Sequence, residues 1–395
     1  MAYRNMDMGE FIRAIRWQHD HSKDLRIDAN QVSLMDDGRV RFQYPDDIAT
    51  PTPYFMQQVR AQINETFKVR LEADYWNACA NQIVNVGGTE RNLLAINANN
   101  WLGKMESRHL IRTFTQDVNS PRTARAFLSN KYKRVDNFSL LVGVQDDDGR
   151  ILQPGLLPFL QKLQDQQDYM VRSCDIAPDG GKMYLKFSRP SKGRKFVIPS
   201  GQHRMIDEVE FGVECGNSEL GKGRYYGRPY SFRYWCDNLA GHPKYGIAKN
   251  HSGRRIEEEE EESFTPETIR LDDMVIVAKM VDIVKACMED SIIDEILADM
   301  SRAAGIEVKK PVKAVEYLRD KNNLTNAVAD AILAAFVAGT DPAGTTLWGL
   351  TNAVTTVAKD NEIVADYDMR TELENLGGSL ISLTDAELRP LVEAR

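Results

Sequence analysis

Six short runs between residues 109 and 215 constrain the fold of this chain more than any other feature. They are HLIRTFT (109–115), TARAFLS (123–129), YMVRSCDI (169–176), KMYLKFS (182–188), RKFVIP (194–199) and EVEFGVEC (208–215). Each is rich in aromatic and β-branched residues and is separated from the next by turn residues. One stretch, PGLLPFLQKLQDQQ (154–167), interrupts them with helical periodicity. Strands that follow one another with so few helices between them pair antiparallel. The expected fold class is therefore α+β: an antiparallel sheet core with helices, followed by a mainly helical C-terminal part.

The flanks supply the helices. Before the strands, 7–18, 53–66, 72–83 and NLLAINANNWLGKM (92–105) read as helical, with Thr52 as an N-cap and Gly87-Gly88 ending the third. QVSLMDDGRVRFQ (31–43) alternates around Asp-Asp-Gly, a hairpin signal. Beyond the strands, 266–302, 311–319, 324–338 and 345–359 have helical periodicity, and Gly339 stands where a C-cap belongs. Between the two parts lie six consecutive glutamates, Glu257 to Glu262. A run of like charge repels itself and reads as a solvated linker; it also reads as an electrostatic mimic of a polyanion. The expected organisation is an α+β core domain over 1–256, an acidic linker over 257–262, and an acidic helical region over 263–395.

Charge divides along the same line. The net charge is −8, but residues 101–135 hold 8 Lys and Arg against 2 Asp and Glu, and residues 182–255 hold 15 against 6. Residues 256–395 reverse the balance, with 13 against 29. Either a polyanion-binding part is joined to a part with another task, or folding pairs these charges off. The five cysteines are dispersed without a C-x-x-C, as expected of free thiols in a reducing compartment. No apolar run approaches the ~20 residues that span a bilayer, and the first residues lack the apolar segment of a signal peptide. A cytoplasmic location with no membrane contact is expected.

Catalytic patterns are missing. No Gly-x-x-x-x-Gly-Lys-Ser/Thr loop cradles a phosphate. Gly221, Gly223 and Gly227 miss the dinucleotide spacing and precede a strand instead of a helix. His19-Asp20-His21 are too close in sequence to share a helix face as metal ligands, and there is no Gly-x-Ser-x-Gly elbow. The expectation is a non-enzyme with no cofactor and no metal.

What remains is basic and aromatic. In 112–137, Arg and Lys are interleaved with Phe114, Phe127 and Tyr132; in 222–235, Lys222, Arg224, Tyr226, Arg228, Tyr230, Phe232 and Tyr234 fall on alternate positions and share one face of a strand. Single-stranded nucleic acid is held by such pairings, with cations on the backbone and aromatics stacked on bases. The candidate phosphate contacts are Arg112, Arg125, Lys131, Lys133, Arg134, Lys222, Arg224 and Arg228. The stacking candidates are Tyr132, Tyr226 and Tyr230, with Asn217 and Glu219 ordering the turn. The competing reading packs the aromatics into the core and leaves the cations to solvate an edge strand.

Several segments, in order, resemble the phage- and plasmid-encoded DUF932 family (domain of unknown function 932). They are PTPYFMQQV (51–59), NLLAINANNWLGKMESRHLIRTF (92–114), ARAFLSNKYKRVDN (124–137), GVECGNSELGKGRYYGRPYSFRYWCDNLAG (212–241) and TTLWGLTNAVTTVAKD (345–360). The likeness covers about residues 45–360 and departs at Leu239-Ala240-Gly241, where the family has Asn-Gly directly. The resemblance implies a mobile-element protein in a bacterial host, working beside DNA-processing partners. A more distant likeness to Rad52-type single-strand annealing proteins implies a homo-oligomer that holds single-stranded DNA in a basic groove and promotes annealing or recombination without hydrolysing nucleotide. An alternative of another class is a protein-binding anti-defence or host-takeover factor whose acidic third meets a host protein.

Overall fold

The computed structural model describes residues 6–43, 47–117, 120–129, 132, 135–177, 180–200, 203–250, 266–364 and 367–392. The chain begins with helix α1 (Met8–His21), capped by Asp7, whose carboxylate accepts from the Glu10 amide at 2.8 Å. Strands β1 (Ser22–Asp28), β2 (Ser33–Leu34), β3 (Val40–Arg41) and β4 (Ile48–Pro51) follow, and β2 and β3 form the hairpin expected around Gly38. Helix α2 (Pro53–Phe67) starts as its sequence dictates: Pro53 fills the first turn and the Thr52 hydroxyl accepts from the Phe55 amide at 3.1 Å. After α3 (Ala73–Ala80), Gly87 and Gly88 do not end a helix. Both have positive φ, 60° and 88°, and they turn the hairpin of β5 (Ile83–Val86) and β6 (Thr89–Asn92). Two successive positive-φ residues are what a two-residue hairpin loop requires.

Helix α4 (Leu93–Leu102) and strands β7 (Arg108–Phe114) and β8 (Arg122–Ser129) complete a six-stranded sheet, ordered β1-β7-β8-β4-β3-β2. Its ladders are antiparallel except β4 on β8. One face is apolar: Ile27, Ile111 and Phe127 pack under Phe55, Val59, Trp76 and Ala95 of α2–α4.

Helix α5 (Asn137–Leu141), the pair β9 (Gly143–Gln145) and β10 (Ile151–Pro154), and helix α6 (Leu157–Asp165) lead to a second sheet. Its strands are β11 (Met170–Ile176), β12 (Lys182–Ser188), β13 (Arg194–Ser200), β14 (His203–Ser218), β15 (Tyr225–Arg233), β16 (Asn238–Gly241) and β17 (Ile247–Lys249). β14, 16 residues long, is the spine: β12 and β13 pair along successive halves of it, and β15 pairs with it as well.

Among the described residues seven helices follow: α7 (Pro266–Ala286), α8 (Asp290–Ala304), α9 (Pro311–Asn322), α10 (Asn326–Val337), α11 (Leu347–Ala358), α12 (Tyr367–Leu380) and α13 (Asp385–Val392). The architecture is thus α+β, antiparallel sheets with helices and then a helical C-terminal part. Leu185, Phe187, Val213, Cys215 and Tyr225 join α1, α6 and α7 in one core. Phe196, Ile198, Val209 and Phe211 join α8–α13 in another. Strands before residue 250 and helices after residue 266 therefore share their interior, and the acidic third is folded onto the basic sheet. The run Glu257–Glu262 lies outside the described residues. Among the described residues no helix is long and apolar enough to cross a membrane.

Candidate nucleic-acid interface

The basic, glycine-rich stretch is a strand, a turn and a strand, with Gly216 opposite Tyr226 across the ladder. The start of its turn is docked on the first sheet. Leu220, 1% exposed, is inserted among Leu110, Ala126 and Leu128 on the open face of the first sheet, beside Tyr54 and Tyr132. Polar groups fix it there. Gln58 donates to the Leu220 carbonyl at 2.9 Å and accepts from the Phe127 amide at 2.8 Å. The Tyr132 hydroxyl donates to the Ser218 carbonyl at 2.7 Å and accepts from the Gly221 amide at 3.2 Å. Asn217 donates to Val135 and Asn137, both at 2.8 Å, and Glu219 accepts from the Asn137 amide at 2.6 Å. Gly221, at φ +77°, is the residue that allows this bend. Asn217 and Glu219 tie the end of β14 to residues 135–137, and Glu219 also pairs with Arg112 of β7, so that with Gln58 and Tyr132 they latch one sheet to the other.

The latch also explains where the first basic segment goes. Arg112 is 1% exposed, 2.9 Å from Glu219, 3.5 Å from Asp136 and 3.8 Å from Asp24. It neutralises buried carboxylates and presents nothing to a strand of nucleic acid. Arg125 is the extra residue of a β-bulge, since Arg112 pairs with Ala126 and Thr113 with Ala124. The bulge turns it inward, 5% exposed, with its guanidinium carbon 5.2 Å from the Phe114 ring centre. Tyr132 is half-buried with its hydroxyl committed to the turn, and burial pushes its pKa up. Tyr230, 1% exposed, lies between Gly212 and Gly241 on the neighbouring strands. Arg112, Arg125 and Tyr230, expected as contacts, are therefore enclosed by protein. Lys131, Lys133 and Arg134 lie outside the described residues.

The other four candidates come together. Lys222, Arg224, Tyr226 and Arg228 line a cleft of about 200 Å³ with Lys182, Tyr184, Asn217, Ser218, Gly223, Asp368, Thr371 and Glu372. Its floor is the second face of the large sheet, which carries charge instead of apolar residues. Arg228 donates to both oxygens of Glu214, at 2.6 and 3.1 Å, and the Tyr226 hydroxyl donates to the same carboxylate at 2.6 Å. Burial pushes the Glu214 carboxyl up, but the charges of Arg228 and Lys186 and the hydrogen bonds outweigh it and hold the pKa at about 2. Gly216 has no side chain, which leaves room for the Tyr226 ring to lie across β14. Lys186, also 1% exposed, is paired with Glu374, which Arg370 holds at 3.1 Å.

Helix α12 forms the remaining wall. It sits close to β16 because Gly378 has no side chain where the Gly241 carbonyl lies. Its Asp368 accepts from Lys182 at 2.6 Å and from the Tyr184 hydroxyl. Toward the mouth, the Lys222 ammonium stands 3.9 Å from the Tyr54 ring centre, and Arg224 is exposed and pairs with no described carboxylate. Four cations thus line the cleft with two carboxylates, Asp368 and Glu372, while a third, Glu214, holds Arg228 from beneath.

Lys182, Tyr184, Asp368, Thr371 and Glu372 were not among the expected site residues. KMYLKFS offered a signal for the first two, since Lys182, Tyr184 and Lys186 alternate along one strand face. Nothing in the sequence placed α12 against that face. Among the described residues no group of three or more His, Cys, Asp or Glu is arranged to hold a metal. Comparison of the chain with family models, curated proteins and solved structures finds no match.

Proposed function

We propose that this chain is a DUF932-like protein of phage or plasmid origin that binds single-stranded DNA in the cytoplasm of a bacterial host. It promotes annealing or recombination without hydrolysing nucleotide. The observation that carries this reading is the cleft at the 219–224 turn, where exposed Arg224 and half-buried Lys222 stand at the mouth beside Lys182 and Arg228. Annealing needs no catalytic group. It needs cations that hold a backbone while base edges stay open to a second strand, and a homo-oligomer would repeat that hold along the strand. The residues that carry the family resemblance support this division of labour. Tyr132 and Asn137 meet Asn217, Ser218, Glu219 and Gly221 at the junction of the sheets, so they build the frame and leave the contacts to the cleft.

The test is an annealing assay with complementary strands carrying a fluorophore and a quencher, run without nucleotide. The protein should accelerate quenching, and the Lys222→Ala/Arg224→Ala double variant should lose most of the acceleration. A requirement for ATP, or full activity of the double variant, would overturn the reading.

One observation favours the protein-binding alternative. At the far end of the large sheet Val197 stands opposite Ile206, and both are exposed, as are Tyr234 and Trp235 beyond the end of β15. A host protein captured on this chain after nuclease treatment, and lost with Ile206→Asp, would move that reading to the front.

A further inference from the structure

The cleft is small and carries walls on more than one side. Its volume of about 200 Å³ lies below the roughly 300–1,000 Å³ of pockets that enclose a drug-sized molecule. Tyr226 and Arg228 are tied down to Glu214 on its floor, Asp368 and Glu372 stand in one wall, and the latched turn forms another. An internal phosphodiester carries one negative charge and needs a way out for the chain on both sides. A terminal phosphate monoester needs a single exit and carries about −1.5 to −2 at neutral pH. The lining meets it with Lys182, Lys222, Arg224 and Arg228 against Asp368 and Glu372, with Glu214 beneath Arg228.

Building on the single-strand reading above, we propose that this cleft is a subsite for the terminal phosphate of a DNA strand. Lys182 and Arg228 face the phosphate from within, Lys222 and Arg224 from the mouth, and the strand leaves over the turn. Asp368, 2.6 Å from the Lys182 ammonium, is the internal carboxylate that the phosphate displaces from that lysine. The ligand class is a phosphate monoester on a single strand, and Asp368 sets how tightly it is held.

The experiment compares one labelled single-strand sequence in three forms: 5′-phosphorylated, 3′-phosphorylated and hydroxyl at both ends. Binding is read by fluorescence anisotropy at fixed salt. One phosphorylated form should bind at least tenfold more tightly than the hydroxyl form. Arg224→Ala, a change at an exposed side chain that leaves the fold intact, should remove most of that preference, and Lys222→Ala should act in the same direction. Asp368→Asn should widen the preference several-fold. Equal affinity for all three strands, with salt-sensitive binding retained, would overturn the subsite and leave the single-strand reading standing. A preference unchanged in both Arg224→Ala and Asp368→Asn would overturn its location. No binding of any strand would overturn the single-strand reading, and the subsite with it.

Discussion

In the first basic segment two of the described arginines are consumed by folding: Arg112 sits among Glu219, Asp136 and Asp24, and Arg125 is turned inward at a bulge. In the second, the same mixture of cations and aromatics splits by position. Tyr230 and the Arg228 guanidinium are built into the sheet, while Lys222 and Arg224 are left at the mouth of a cleft. What separates the two fates is the supply of carboxylates from elsewhere in the chain. Glu219 reaches Arg112 from more than a hundred residues away, and no described carboxylate reaches Arg224. A basic, aromatic stretch is therefore buried frame or exposed cleft mouth according to what long-range folding brings to it.

The largest expected effect tests the frame as a whole. A chain ending before residue 266 would uncover Phe196, Ile198, Val209 and Phe211, whose core partners are the C-terminal helices. It should fail to give a cooperative thermal transition; a truncated chain that melts cooperatively would show that the sheets stand without those helices. Next comes Arg112→Met, which leaves Glu219 and Asp136 buried without their cation and should cost about 3–5 kcal/mol by denaturant unfolding. Leu220→Ala empties the small cluster that holds the turn to the first sheet and should cost roughly 2–3 kcal/mol.

Acid should weaken the fold more gradually. His109 and His242 are buried, and burial lowers the pKa of each from 6.5 to about 4. The unfolded chain binds their protons near 6.5 while the native chain stays neutral until about 4, so stability declines as pH falls through that interval. Urea midpoints at pH 7 and pH 5 measure the decline, and His109→Gln should make it shallower. The smallest structural effect belongs to Arg224→Ala, within about 0.5 kcal/mol of wild type as for a solvated side chain. Its consequence should appear in binding instead, as weaker affinity for every sequence and a salt slope reduced by roughly 0.7 for one phosphate contact on a single strand. A stability loss at Arg224 as large as that at Arg112 would erase the distinction between frame and surface.

Local signals in the sequence were reliable where the chain makes its own contacts. Thr52 and Pro53 place the start of α2, Asp-Asp-Gly places the β2–β3 hairpin, Gly339 follows α10 at φ +68°, and the six strand runs all lie in the two large sheets. The failures are long-range. Gly87-Gly88 serves a helix stop and a hairpin turn equally well until β5 and β6 are seen to pair. Period-two alternation put Tyr226, Arg228 and Tyr230 on one strand face, which is correct, but it carried no sign that α12 would cover that face. Half of the cleft was therefore legible as a basic turn, and its other wall, with Asp368 and Glu372, was not.

The most direct test of the central claim is fluorescence anisotropy of a labelled single-stranded oligonucleotide at two salt concentrations. The matching duplex serves as control, and wild type is set beside the Lys222→Ala/Arg224→Ala variant. The account predicts binding that prefers the single strand, weakens with salt and falls sharply in the variant while its thermal stability is unchanged. No binding at low salt, or equal binding by the variant, would contradict it and leave the cleft as a structural feature of the sheet.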